Sequence, residues 1–207
     1  MRHRNGFSLL EALIALGVGA AILILAIVVG VTTNRTFRAA VAQRDAAVVA
    51  ERALDLFTRD VRTAQTGLDG GYPIRIADDR TLIILSDVDG DAEAEWVRYA
   101  LVNPDAAAGG TLERSVAEAS GTPPRYDEAS AVTTTVAHGI RNGERPIFTY
   151  YSANYPRDTA GNPLPTPSRL AETRYVEIAL DVNIDPASAP TTALASGVAI
   201  RNLREGL

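Results

Sequence analysis

One uncharged segment constrains this chain more than any other feature of its sequence. Residues 12–34, ALIALGVGAAILILAIVVGVTTN, form a run of 23 positions without Asp, Glu, Lys or Arg. Because about 20 apolar residues in a helix cross the hydrocarbon core of a bilayer, the run predicts a transmembrane helix. A removable secretory signal is the competing interpretation, but its apolar region normally holds only about 7 to 15 residues. We therefore expect a membrane anchor.

The whole chain has the composition of one ordinary domain joined to this anchor. Its 207 residues include 20 Lys+Arg and 25 Asp+Glu, which gives a formal net charge of -5, and it contains no Cys. The absence of Cys excludes disulfides, thiolate nucleophiles and Cys-ligated metals. The acidic balance argues against nucleic-acid binding, because neutralising phosphates requires a clustered excess of cations. We expect no direct nucleic-acid partner.

Glu11 stands one position before the uncharged run. An ionisable group that enters hydrocarbon is costly unless a cation pairs with it, so an acid at this place indicates a functional site. Alternatively, Ser8 and Glu11 form a capping box, in which the two side chains accept hydrogen bonds from free N–H groups at the start of the helix. These residues alone leave both interpretations open.

The residues around Glu11 follow a specific order. Residues 6–16 read GFSLLEALIAL and are preceded by RHRN at residues 2–5. This pattern closely resembles the leader and N-terminal helix of type IV pilins and type II secretion pseudopilins. The resemblance implies that a prepilin peptidase cuts after Gly6 on the cytoplasmic face and methylates the new N-terminus at Phe7. Arginines flank both ends of the apolar run, so charge does not fix its orientation, but the resemblance implies an extracytoplasmic C-terminal domain.

The same resemblance implies a role for Glu11, which becomes the fifth residue of the processed chain. Cleavage leaves a cationic amine on Phe7, and a carboxylate one helical turn away or on an adjacent subunit can pair with it in low dielectric. In the family this acid is thought to guide a new subunit into the growing filament. The partners implied are prepilin peptidase, the membrane and other pilin subunits that bind through the N-terminal helix.

Beyond the membrane the pattern stays helical up to Gly67. Apolar residues at intervals of four and three predict one buried face, formed by Ala50, Leu54, Phe57, Val61 and Ala64. The charged residues are expected on the other faces: Glu51, Arg52, Asp55, Arg59, Asp60 and Arg62. Residues 52–64, RALDLFTRDVRTA, also resemble the stalk of J-type minor pseudopilins and W-type minor pilins.

After Gly67 the sequence favours β-structure. Runs of β-branched and aromatic residues separated by turn residues predict seven strands, at residues 81–86, 95–102, 111–116, 131–137, 146–151, 173–184 and 197–203. Long loops are expected at residues 119–130 and 152–171. The predicted fold class is α+β, with one face of an antiparallel sheet packed on the helix and the other face towards water.

An acidic turn between the first two predicted strands allows two interpretations. Its carboxylates are Asp87, Asp89, Asp91, Glu93 and Glu95. Several carboxylates in one tight loop suit a hard cation such as Ca²⁺. However, Gly90 lies at the fourth position, where an EF-hand loop requires Gly at the sixth, and alternating Glu93 and Glu95 fit the solvent face of a strand. We assign no metal site from the sequence, and calcium binding by the Asp87, Asp89 and Asp91 turn stays open.

The sequence offers little for catalysis. His3 lies in the leader and His138 stands alone, and there is no HExxH, no GxSxG and no phosphate-binding glycine loop. We expect neither an enzyme nor a bound cofactor. Aromatic residues at 148, 150, 151 and 155 indicate either a contact patch or core positions, since alternation along a strand buries some of them.

The sequence divides into four predicted segments: a cleaved leader at 1–6, a transmembrane helix at 7–34, an amphipathic stalk helix at 35–66 and a β-rich head at 67–207. Together with the resemblance, they indicate a minor pilin or pseudopilin of the inner (cytoplasmic) membrane. It would be single-pass, with an extracytoplasmic head, and would enter a type IV pilus or a type II secretion pseudopilus. The alternative is a permanently membrane-anchored extracytoplasmic binding domain.

Overall fold

The computed structural model describes residues 8–203, and α1 (Leu9–Arg62) is its one α-helix in that range. The helix has 54 residues and continues without a break through the segments predicted as transmembrane and stalk. The chain divides into two compact units, Met1–Val41 and Ala42–Leu207. The helix therefore begins in the first unit and ends in the second.

The first unit leaves its apolar side chains uncovered. Helix α1 contains a segment that is long and apolar enough to cross a membrane. None of the most apolar stretch of this helix is buried inside the protein. Leu16 and Leu25, for example, are 75% and 64% exposed. Soluble proteins rarely expose an apolar surface of this extent, which is typical of a helix that contacts lipid or other helices. The structure therefore supports one part of the predicted location, namely a single N-terminal membrane span.

The second unit is built on antiparallel strands. Their bounds are β1 (Ile74–Ala77), β2 (Thr81–Ser86), β3 (Glu95–Val102), β4 (Gly110–Ala117), β5 (Ala119–Ser120), β6 (Arg125–Tyr126), β7 (Val132–Ile140), β8 (Phe148–Tyr151), β9 (Tyr175–Val182) and β10 (Thr192–Ala199). The main sheet runs β1-β2-β3-β4-β7-β9-β10, with β8 also paired to β9, while β5 and β6 form a separate hairpin. A long helix with an antiparallel sheet confirms the predicted α+β class.

The core of the second unit lies between the sheet and the C-terminal part of α1. All five residues of the predicted apolar face are buried, as the spacing indicated: Ala50, Leu54, Phe57, Val61 and Ala64. The ring of Phe57 contacts Tyr99 edge-on, with centroids 5.4 Å apart, and stacks on Phe148 at 5.7 Å. Burying one large apolar side chain in this way contributes about 1.5–3 kcal/mol.

Polar contacts fix the end of α1 against the sheet. The N–H of Gln65 donates to the carbonyl oxygen of Leu85 at 2.8 Å, and Asn202 Nδ2 donates to the carbonyl oxygen of Ala64 at 3.0 Å. These bonds satisfy two backbone groups of the residues that directly follow the helix. The helix end is therefore attached both to β2 and to the residues that follow β10.

The sheet face away from α1 is only partly open to water. Near β2 and β3 it carries a second apolar cluster, formed by Ile83, Leu85, Ala94, Trp96 and Ala117. Tyr126 packs on this cluster, and its hydroxyl donates to the carbonyl oxygen of Ala94 at 2.6 Å and accepts the N–H of Leu68 at 3.1 Å. The expectation of a water-facing second face is thus wrong at this end of the sheet, because the β5–β6 segment covers it.

The strand predictions succeed where the apolar signal is strong. Residues 81–86 and 95–102 are strands with the predicted bounds, and β9 buries Val176, Ile178, Leu180 and Val182 in alternation. The last strand was expected at 197–203, but β10 runs from 192 to 199 and a 3₁₀ turn follows at Arg201–Leu203. This strand consists mostly of Ala, Ser and Thr, so its pairing with β9, not its own hydropathy, determines its position.

Candidate functional site

The predicted processing residues, Gly6 and Phe7, lie outside the described residues. Glu11 lies in the first turn of α1 and is exposed. Its Oε2 accepts hydrogen bonds from the N–H and from the hydroxyl of Ser8, each at 3.0 Å, and the N–H of Glu11 lies 3.3 Å from Ser8 Oγ. These reciprocal bonds form the capping box that the spacing of Ser8 and Glu11 predicts.

The capping box leaves part of the Glu11 carboxylate free. Both bonds from Ser8 end on Oε2, and within residues 8–203 no hydrogen bond ends on Oε1. A carboxylate has about four acceptor positions, so it can cap the helix and still receive a cationic donor. The two interpretations of Glu11 are therefore compatible.

A buried polar network in the second unit was not predicted. Asp60, at the end of α1, has no exposed surface. Its Oδ2 accepts hydrogen bonds from Tyr99 Oη at 2.7 Å and from Arg114 Nε at 2.6 Å, and Ser86 Oγ donates to its carbonyl oxygen at 2.6 Å. The network joins α1 to β2, β3 and β4.

The expectation that Asp60 lies on a polar face of the helix is wrong. Asp60 follows Phe57 by three positions and precedes Ala64 by four, so helical geometry places it on the apolar face. The carboxylate is tolerated there because Arg114 and Tyr99 reach it from neighbouring strands. The spacing of Asp60 from Phe57 was the sequence signal that could have indicated its burial. That spacing does not identify Tyr99 and Arg114 as its partners.

The ionisation of the partners supports an ion pair at this place. Burial raises the pKa of Tyr99 far above its usual value, and the negative charge of Asp60 raises it further, so the phenol stays a donor. Burial lowers the pKa of Arg114, but its hydrogen bond to Asp60 and the charge of that carboxylate raise it overall. Asp60 is a buried acid that accepts from one charged donor, Arg114, and one neutral donor, Tyr99. The network stabilises the head only while both donors remain in place.

The acidic turn between β2 and β3, residues 87–95, is called the acidic hairpin below. Its carboxylates bend the backbone: Asp87 accepts the N–H groups of Gly90 at 2.7 Å and Ala92 at 3.1 Å. Asp89 Oδ1 accepts the N–H of Asp91 at 3.1 Å. Gly90 has φ +92 and Ala92 has φ +73, so the loop passes through the left-handed region twice. These bonds confirm a tight turn.

Glu95 differs from the other acids of this hairpin because it is fully buried. It was expected on the solvent face of a strand, and that expectation is wrong, since the acidic hairpin folds over the start of β3. Burial raises the pKa of Glu95 to about 7, the hydrogen bond from the Val88 N–H opposes this shift, and the charges of Glu118, Asp89 and Asp91 add to it.

The aromatic residues of β8 divide between core and surface, as alternation predicts. Phe148 and Tyr150 are fully buried. Tyr151 forms an outer cluster with Tyr155 and Tyr175, whose ring centroids lie 4.1 to 5.6 Å apart. Two of these rings, Tyr155 and Tyr175, line an open cleft of about 320 Å³ together with Arg174. His138 is exposed on β7.

Comparisons with protein-family models, with curated proteins and with solved structures find no match to this chain. The functional proposal below therefore depends on the fold, on the contacts described above and on the N-terminal sequence pattern.

Proposed function

We propose that this protein is a minor pilin or pseudopilin, a structural subunit that enters a type IV pilus or a type II secretion pseudopilus. One observation carries the proposal: α1 holds an uncovered apolar segment and, further along the same helix, the buried face of the β-rich head. A helix of this kind anchors a folded head to a membrane first and to neighbouring helices later. The head itself takes a structural and not a catalytic role.

The uncovered segment needs a partner surface, and membrane and filament both provide one. Lipid covers the apolar side chains of α1 before assembly, and the helices of other subunits cover them afterwards. Gly19 and Gly30, which lie on one face of α1, support close helix contact, because a Cβ added at either of them would meet nothing beyond the local helix backbone within 4 Å. The GFSLLE pattern at residues 6–11 supports processing by prepilin peptidase after Gly6.

Mass spectrometry of the N-terminal peptide, on protein from membranes of its own cells, tests the proposal directly. We expect a chain that begins at Phe7 and carries one added methyl group. A chain that begins at Met1 would contradict the proposal and favour a permanently anchored extracytoplasmic binding domain. A chain that begins near Gln43 would also contradict the proposal, because the protein would then have lost its apolar segment and would be a secreted soluble domain.

Glu11→Gln separates the charge of this residue from its capping role. Gln serves at this position of a capping box as Glu does, so the start of α1 should be preserved. The variant loses the negative charge that would pair with the amine of Phe7 in low dielectric. We expect normal processing but at least about a tenfold loss of the subunit from sheared fibres, equivalent to about 1.4 kcal/mol, measured by quantitative immunoblotting.

Glu51→Gln is the matched control, because Glu51 is an exposed acid on the same helix. It should enter fibres at the wild-type level. Wild-type incorporation of the Glu11→Gln variant would show that Glu11 acts only as a helix cap.

A further inference from the structure

The acidic hairpin brings three carboxylates into one small volume. One oxygen each from Asp87, Asp89 and Glu95 lies within 4.8 Å of the other two. Ca²⁺ binds oxygen ligands at about 2.3–2.6 Å, so two oxygens on one ion lie at most about 5.2 Å apart. The three oxygens therefore lie close enough together to bind a single Ca²⁺ after shifts of a few tenths of an ångström.

Glu95 supplies an independent indication of a ligand. The residue is fully buried, and its Oε2 accepts the N–H of Val88 at 2.7 Å. Its Oε1 is also buried and has no hydrogen-bond partner in the part of the chain that the structure describes. Burying a carboxylate oxygen without a hydrogen-bond donor costs free energy. A bound metal ion is one of the few partners that offsets this cost.

Within the described residues, no arginine forms an ion pair with the carboxylates of this cluster. Residues 87–95 contain five carboxylates and no Arg or Lys. Within residues 8–203 the arginines that form ion pairs are bound elsewhere, to Asp60, Asp69, Asp181 and Glu172. Glu118, just after β4, is a further acid close to Asp89, Asp91 and Glu93. Negative charge therefore accumulates at one end of β3, with no ion pair to it from residues 8–203.

We propose that Asp87, Asp89 and Glu95 bind one Ca²⁺ at the β2–β3 hairpin. The ion supplies the missing partner for Glu95 Oε1 and neutralises the carboxylates that surround it. The remaining ligands come from water and backbone oxygens of the loop, which Ca²⁺ accepts because it takes six to eight oxygens in flexible geometry. Mg²⁺ fits less well, since it demands near-octahedral geometry and gives up its water reluctantly.

Binding to the intact protein in detergent tests this site, with CaCl₂ as the added metal. We expect one ion per chain with a Kd of about 0.1–1 mM, the range of extracellular calcium modules. Added at 10 mM, Ca²⁺ should then raise the Tm of the metal-free protein by about 3–10 °C. Isothermal titration calorimetry and thermal denaturation after removal of metal by a chelator measure the two quantities.

Two variants distinguish metal binding from a purely structural turn. Glu95→Gln keeps an acceptor for the Val88 N–H and removes the buried charge, so in chelator its Tm should equal or exceed that of the wild type. Asp89→Asn keeps the acceptor for the Asp91 N–H on an exposed side chain. Both variants should bind Ca²⁺ at least about tenfold more weakly, whereas the exposed loop variant Glu144→Gln should bind as the wild type does.

Three outcomes would overturn the site. The first is the absence of any Ca²⁺-dependent heat or Tm shift in the wild type. The second is wild-type affinity in both Glu95→Gln and Asp89→Asn. The third is an equal stabilisation by Mg²⁺, which would contradict the assignment of Ca²⁺.

Discussion

Arg114→Met is expected to destabilise the head by about 3–5 kcal/mol, because it leaves the fully buried carboxylate of Asp60 without its cation. Met preserves most of the apolar stem of the arginine, so the loss reflects charge and hydrogen bonding more than volume. For a chain of this size the change corresponds to a fall in Tm of roughly 6–20 °C. Thermal denaturation of the detergent-solubilised protein, followed by circular dichroism, measures it.

The partner variant makes this prediction specific. Asp60→Asn removes the buried charge at nearly constant volume, so the double variant with Arg114→Met should be more stable than Arg114→Met alone. Arg98→Met, at a half-buried position of the adjoining strand β3, should cost less than about 1 kcal/mol. A double variant that is no more stable than the single one would contradict the ion pair as the source of the effect.

Gly6→Leu is expected to block processing, so that nearly all of the protein stays in the membrane as full-length precursor. Under the proposed function the peptide bond after Gly6 must enter the active site of a membrane peptidase. Glycine allows a close backbone approach because it has no Cβ, and a branched side chain at this position prevents it. Immunoblotting of membrane fractions resolves the precursor from the shorter mature chain.

Gly17→Leu is the control for this variant. It adds the same side chain within the apolar part of α1, where a Cβ meets no neighbouring atom, and it should be processed normally. Wild-type cleavage of the Gly6→Leu variant would remove the main support for a pilin-type leader.

The sequence was sufficient for those parts of the fold that follow a regular period. The 3.6-residue period of α1 predicted the buried face around Phe57, and the strand predicted at residues 173–184 is present as β9, in which Val176 and Leu180 are buried. The hairpin β5–β6 was missed because strands of two residues contain too few positions for a period, and the four-residue β1 was missed as well. Their places depend on pairing with other strands.

The sites were harder to predict because their partners lie far apart in the sequence. Ser8 and Glu11 are three positions apart, and the capping box that this spacing allowed as one interpretation is present. Asp60, in contrast, bonds to Tyr99 and Arg114 at separations of 39 and 54 residues. The burial of Glu95 depends on how the acidic hairpin folds over β3. An acid in a sequence shows its charge, and only the tertiary structure shows whether that charge faces water.

The polar contact between α1 and the last strand has a consequence for the order in which the head is completed. Thr58 Oγ1 lies 3.3 Å from Ser196 Oγ, a separation of 138 residues along the chain. Synthesis produces the apolar face of α1 before any of the strands that cover it, and contacts between distant residues form slowly. The newly made chain therefore exposes Phe57 until the strands that carry Tyr99 and Phe148 have been made, and Thr58 gains its contact with Ser196 only when the final strand is complete. The stalk part of α1 is therefore the part of the head that waits longest for its partners during synthesis.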